Sequence, residues 1–500
     1  MDFIENMSTL LDNTSITENG AVGYKTVDDE LADFFFKIAS YRSTPEDTIL
    51  DDFKTIENNP YVLKFLFYIR DCRNGLGERN IFRVCFRTIL SNLKVTEDYS
   101  KKVYHFFDLI LKYGRGEDIF YCVDFDNKQL TAVLRSYLLD IIDTDKKHLE
   151  TNEPISIIYK WFPSENTSNN FVKDLAKKVR LLLSMSSRDY RKMLSAFRSK
   201  LNVTETYMCS NRWGDINYNY VPSKANLLYS RAFLRHDCER RFQYLKDLAA
   251  GKKDVKINSS VNYPYEIYHR YNDSREDGYD ATYEELWKNL KSVPGLDNTL
   301  VVCDGSGSMM CSIGNTNIAA LDVSRSLAIF CSQYCKANYK DTFITFSSHP
   351  ELVKLNSAKT LYDKIGIVNK YADYTNTNLE AVFDLILTVA VENKLKQEDL
   401  PKQLLIISDM EFDEGIHYRR NPISSAEAKF EQVGLKLPKL VFWNVNSRTK
   451  TIPLNKNDLG FLLISGFSQN VINMVMNGED DDKEALLTEL DKYVDVPLLN

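Results

Sequence analysis

No stretch of the 500-residue chain approaches the roughly 18 consecutive apolar residues that a membrane helix needs. Its first residues, Met1 to Asn6, lack the basic and apolar regions of a signal peptide. Neither a membrane partner nor export is therefore expected. Cysteine is sparse: there are nine, an odd number, and no two form a Cys-x-x-Cys pair. That usage argues against a disulfide framework and points to reduced thiols in a cytoplasm-like compartment. Histidine is scarcer still, and none of His105, His148, His236, His269, His349 and His417 has a partner at metal-ligand spacing. The segment NGLGERN, beginning at Asn74, has two glycines of a dinucleotide fingerprint and lacks the third. The turn Gly305-Ser306-Gly307 falls one residue short of a nucleophile elbow, and no such elbow occurs elsewhere. No catalytic residue is expected, and the chain is read as a binding protein rather than an enzyme.

What is present is an ordinary globular composition, 44% hydrophobic and 27% charged, long enough for two or three domains. The net charge of −7 conceals an asymmetry, because Trp161 to Asp247 holds 16 Lys or Arg against 8 Asp or Glu. A concentrated basic face suits phosphate-backbone binding; solvated helix faces are the plainer reading.

The pattern along the chain predicts residues 1–25 as a flexible leader, 26–250 as an irregular all-α helical-repeat domain, 251–296 as a connecting segment and 297–500 as an α/β domain. Val172, Leu175, Val179 and Leu182 recur at helical spacing, while Gly75 and Gly77 interrupt similar stripes. Beyond Pro294-Gly295, short apolar runs alternate with helical segments: TLVVC at 299–303, TFITF at 342–346, LLIIS at 404–408, LVFWNV at 440–445 and FLLIS at 461–465. Runs apolar on both faces and separated by helices predict a doubly wound parallel sheet. The fold class expected is thus α followed by α/β.

Ligands of such a sheet bind at the carboxyl ends of its strands. Asp304 ends the first run in LVVCDGSGSMM, and Asp409 ends a later one in LLIISDMEFDEG. Asp304, Ser306 and Ser308 alternate along one turn that Gly305 and Gly307 leave free to bend tightly. Thr377, ahead of an apolar helix, is a third contributor. Hard oxygen donors with few carboxylates suit Mg²⁺, which keeps part of its water shell. Glu411, Asp413 and Glu414 are expected to line an acidic rim; a nuclease-like metal cluster is the competing reading.

Asp304-x-Ser306-x-Ser308, Thr377 and Asp409 resemble the metal-ion-dependent adhesion site of von Willebrand factor A domains. The resemblance implies that Ser306, Ser308 and Thr377 offer hydroxyls, that Asp304 and Asp409 act directly or through water, and that an acidic group from a protein partner fills the open position. Further segments, among them YIRDCRNGLGERNIFR, LKYGRGEDIF, VFWNVNSR and LLISGFSQNVINMVM, resemble an uncharacterised family of plants and large DNA viruses that joins a helical domain to a von Willebrand A domain. Residence in a virus particle is the alternative localisation that this distribution leaves open.

More distantly, RDCRNGLGER and VPSKA resemble the Ro autoantigen, or TROVE, proteins, which implies binding of structured RNA by the helical domain. On that basis Lys224, Arg231, Arg235, Arg240 and Arg241 are the candidate RNA contacts, with Tyr218, Tyr220 and Tyr229 as stacking rings. Two readings stay open: an RNA-binding scaffold that also recruits a protein, and a purely protein-binding assembly component. The motif RDCRNGLGERN is expected to form a buried ion network of Arg70, Asp71, Arg73, Glu78 and Arg79 joining two helices; direct ligand contact is the competing reading.

Overall fold

Two short strands, β1 (Thr14–Ile16) and β2 (Val22–Tyr24), pair antiparallel as a hairpin near the start of the chain. They come from a computed structural model that describes residues 13–26, 29–201, 203–293, 295–346, 349–371, 376–413, 422–453, 461–476 and 482–499. The chain forms two units, one of Met1–Asn59 with Ser259–Lys492 and one of Pro60–Asn258 with Tyr493–Asn500.

The sheet of the first unit has β3 (Thr299–Asp304), β4 (Thr342–Phe346), β5 (Glu351–Lys354), β6 (Gln403–Ser408), β7 (Lys439–Asn444) and β8 (Phe461–Ser465), in the order β5-β4-β3-β6-β7-β8. All five apolar runs form strands. Neighbours are parallel except β4 and β5, so the sheet is mixed rather than wholly parallel as expected. The departure has a local cause: β5, ELVK, follows β4 too closely for a helical crossover and returns as an edge with three exposed positions.

Side chains alternate between the faces of a strand. Leu300, Val302, Leu404, Ile406, Leu440 and Phe442 cluster on one face with Val382 and Phe383 of the helix Leu379–Glu392 and with Ala426 and Phe430 of the helix Pro422–Gln432. Their neighbours Val301, Cys303, Leu405, Ile407, Val441 and Trp443 are equally buried on the other face, against which the helix Ala320–Ser332 packs, Ser324 Oγ donating to the Asp304 carbonyl at 3.3 Å. Covering on both sides is why these strands read as continuous apolar runs.

The expected domain boundaries need correction. Residues 1–12 of the expected leader lie outside the described residues, but 14–24 form the hairpin, with Tyr24 and Ile452 exchanging backbone hydrogen bonds of 2.8 Å in both directions. The helix Glu30–Lys37, assigned above to the helical domain, puts Ala32 and Phe36 into the core of the sheet. The expected connecting segment contains the helices Pro264–Asp273 and Ala281–Lys288, the first of which packs on Ala320–Ser332 through buried Tyr268 and a 2.7 Å contact of His269 with Asp322. These segments carry enough aromatic surface to be drawn into the core, which a reading of turn residues misses. Pro294 lies outside the described residues.

The second unit is helical from Val62 to Ala249. In the helix Asn170–Leu182, Asn169 caps the start by accepting from Val172 N at 3.2 Å, and Leu175, Ala176 and Val179 form the buried stripe. The break at Gly75 is steric: a Cβ there would lie 1.9 Å from the Tyr68 carbonyl oxygen. The ion network around RDCRNGLGER centres on a residue outside the expected set. Asp118, wholly buried, accepts from Arg70 Nε at 2.8 Å and Arg83 Nε at 2.6 Å, and so joins the helices Val62–Arg70, Asn80–Asn92 and Gly116–Cys122. Asp71 instead accepts from Tyr493, 3.1 Å away, in the C-terminal segment that completes this unit. No helix among the described residues is long and apolar enough to cross a membrane.

Candidate metal centre

The order of strands reverses its direction of growth at β3, which has β4 on one side and β6 on the other. Asp304 ends β3 and Ser408 ends β6, so their side chains meet at the carboxyl edge where such sheets bind ligands. Ser408 Oγ donates to Asp304 Oδ2 at 2.6 Å and accepts from Met410 N at 2.9 Å. Asp304 Oδ1 accepts from Ser306 N at 2.9 Å, closing an Asx turn that leads the chain back over the strand end. In the 3₁₀ turn Gly307–Met310, Met309 is buried as an anchor, and Ser306 Oγ and Ser308 Oγ stand 3.0 Å apart.

Asp409 follows β6 and is wholly buried. Its carboxylate accepts from Glu411 N at 3.3 Å, Arg448 Nη1 at 3.1 Å and the Ser308 hydroxyl. Asp304, Ser306, Ser308 and Asp409 are therefore brought together in one contiguous patch. Thr377 stands on the adjoining loop, 1% exposed, where its carbonyl accepts from Asp413 N at 3.1 Å and its hydroxyl lies 3.4 Å from Asn19 Nδ2.

Burial raises the pKa of Asp304 well above the ordinary carboxylate range, and the neighbouring charge of Asp409 raises it further. Burial raises Asp409 too, and the Arg448 guanidinium opposes that rise. Among the described residues no cationic side chain pairs with Asp304.

This arrangement fits a hard divalent cation. Two buried carboxylates with the hydroxyls of Ser306 and Ser308 at one strand edge form an all-oxygen donor set in which, among the described residues, only Asp409 has a cationic side chain beside it. It is not a cage of carboxylates, for among the described residues no group of three or more His, Cys, Asp or Glu is placed to hold a metal. Asp304, Ser306, Ser308, Thr377 and Asp409 would hold the ion, which when bound supplies a Lewis-acidic position for an anionic oxygen.

Glu411 departs from expectation. It is wholly buried rather than part of a rim, and it accepts from the backbone N–H groups of Glu18, Arg448 and Thr449, each at 2.8 Å. It braces the loops around the site. Asp413 pairs with Gly20 in an isolated bridge, and Glu414 lies outside the described residues. Ser408 and Arg448 carry no expectation from the sequence, although both touch the site carboxylates. The available signal was the polar residue that closes LLIIS and the polar stretch that follows the apolar run in VFWNVNSR.

The candidate RNA contacts divide. Arg241 is wholly buried, with Tyr218, Phe233 and Tyr244 each within 5.2 Å of its guanidinium carbon, and Nη1 donates to Asn226 at 3.2 Å. It is a core residue and not a contact, because the rings of the small helices around it close over the side chain. Arg240 is largely committed inside the unit: it donates to the carbonyls of Trp213, Gly214 and Ile216 and pairs with Asp237 at 3.0 Å. Arg231 and Arg235 are exposed and Lys224 is half-buried. Tyr220 is exposed and Tyr218 is buried.

Residues 298–495 match a domain of unknown function (DUF7788), and residues 136–293 match a second domain of unknown function (DUF2828). The chain is similar to Uncharacterized protein L728 of Acanthamoeba polyphaga mimivirus, 28% identical over 521 residues that cover 96% of this chain and 88% of that one. Among solved structures it is similar to the Deinococcus radiodurans RO (RSR) protein, at 12% identity and a TM-score of 0.33, over 89% of this chain and 92% of that one.

Proposed function

We propose that this protein is a non-enzymatic binding scaffold of the von Willebrand A type. Its carboxyl-edge site takes Mg²⁺ through Asp304, Ser306, Ser308, Thr377 and Asp409, and offers the ion to an acidic group of a protein partner. The observation that carries the reading is the meeting of Asp304, Ser306, Ser308 and Asp409 in one largely buried patch of oxygen donors, in which only Asp409 has a cationic side chain beside it among the described residues. Titration with Mn²⁺, followed by electron paramagnetic resonance and competed with Mg²⁺, tests it. One tight site, lost in Asp304→Asn, is the expected result, and equal binding by that variant refutes it.

The helical unit is proposed to bind structured RNA through the exposed Arg231 and Arg235 with Lys224 beside them, supported by the surplus of basic residues between Trp161 and Asp247. Anisotropy of a labelled hairpin RNA at two salt concentrations tests this half. Binding that weakens steeply with salt and ignores chelator is expected. Absence of binding leaves the purely protein-binding assembly component, a reading favoured by the internal commitment of Arg240 and Arg241.

A further inference from the structure

The hairpin β1–β2 brings its tip onto the loops that carry the candidate cation site. Thr17 Oγ1 donates to the Phe412 carbonyl at 2.6 Å, Glu18 N to the Glu411 carboxylate at 2.8 Å, and Asn19 Nδ2 to the Glu411 carbonyl at 2.6 Å. The same amide reaches Thr377 Oγ1, at 3.4 Å. One side chain links this tip to the carboxylates. Arg448 donates through Nη1 to Asp409 Oδ2 at 3.1 Å and to the Ser308 carbonyl at 3.3 Å, while Nε, at 2.7 Å, and Nη2 both donate to the carboxylate of Glu18. Arg448 is thus shared between a wholly buried carboxylate and a largely exposed one.

We propose that Arg448 is a latch on the cation site: its guanidinium and a divalent cation are alternative partners of Asp409, and Glu18 at the hairpin tip holds the guanidinium in the excluding position. The proposal rests on the reading of Asp304, Ser306, Ser308, Thr377 and Asp409 as a cation centre. A guanidinium keeps its charge at every working pH, so it repels a second cation placed on the same carboxylate. Its planar fork places Nε and Nη2 on one oxygen of Glu18, Oε2, which leaves Nη1 directed at Asp409. A pair that merely braced the loop would be satisfied by Glu18 alone. The loop itself is already pinned by Glu411 through Arg448 N and Thr449 N.

The test is Mn²⁺ affinity of the full chain for the wild type, Arg448→Ala, Arg448→Lys, Glu18→Gln and the double variant Glu18→Gln/Arg448→Ala, with thermal unfolding run alongside to verify folding. Loss of one competing, partly exposed charge should tighten Mn²⁺ binding about two- to fivefold in Arg448→Ala. Arg448→Lys keeps the charge without the fork and should tighten it by less; this variant carries the test if the alanine form does not fold. Glu18→Gln should tighten binding in the wild-type background and fail to do so once Arg448 is gone. Unchanged or weaker Mn²⁺ binding in both Arg448 variants overturns the latch while leaving the cation centre standing. No Mn²⁺ binding by the wild type or any variant removes the cation centre itself, and the latch with it.

Discussion

Ser408 Oγ lies 2.6 Å from Asp304 Oδ2, so the ends of two adjacent parallel strands are tied through one buried carboxylate. The bond orients that carboxylate and leaves Oδ1 to hold the turn that carries Ser306 and Ser308. Site and sheet are thereby built from the same contacts.

Replacing Asp304 by Asn separates the two roles. The metal-free protein should gain about 1 kcal/mol in urea denaturation, because a buried charge beside Asp409 is removed. Mn²⁺ binding should disappear. Ser408→Ala should instead cost about 1.5–3 kcal/mol, the range for a hydrogen bond to a charged group. A loss of stability in Asp304→Asn equal to that in Ser408→Ala would show that the carboxylate serves structure alone.

Mg²⁺ should stabilise the wild type in proportion to the logarithm of its concentration, by about 2.7 kcal/mol at a hundredfold excess over Kd, and raise its melting temperature accordingly. Chelator should reverse the shift. A melting curve that ignores Mg²⁺ at millimolar concentration would count against the centre.

Asp118 should be the most sensitive position of the helical unit. Asp118→Asn leaves Arg70 and Arg83, both largely buried, without their shared anion, at a cost of about 3–5 kcal/mol. Circular dichroism during urea unfolding would read it, and a loss below about 1 kcal/mol would contradict the role of Asp118 as hub.

His269 gives a pH dependence with a definite sign. Its hydrogen bond to Asp322 raises its pKa above the ordinary 6.5, and burial opposes the rise. A raised pKa means that the folded state holds the proton more tightly than the unfolded one. The stabilisation is complete below about pH 6 and is lost as pH rises through the folded value. The difference in stability between wild type and His269→Gln should therefore be larger at acidic than at alkaline pH; a difference independent of pH would mean that the pair holds no proton of its own.

Arg241 and Arg235 should behave as opposites. Arg241→Ala removes a guanidinium packed among three rings and should destabilise by about 2–4 kcal/mol. Arg235→Ala, on an exposed side chain, should leave stability within about 0.5 kcal/mol and lower the salt dependence of RNA binding. Unchanged RNA affinity in Arg235→Ala would move the interface elsewhere.

Much of this was legible along the chain because its signals are local. Five strands were recognisable since burial on both faces demands unbroken apolar runs, and the turn after β3 was recognisable since Gly305 and Gly307 alternate with oxygen donors at the end of such a run. Tertiary structure decided what depends on residues far apart. Glu18 and Arg448 are separated by 430 positions, and Asp118 gathers arginines 48 and 35 positions away. Whether an arginine faces solvent or lies among aromatic rings is set by which helices close over it, so Arg235 and Arg241, alike in sequence, end with opposite fates. Periodicity and composition encode which face of an element is buried; they do not encode which charge from another segment meets it there.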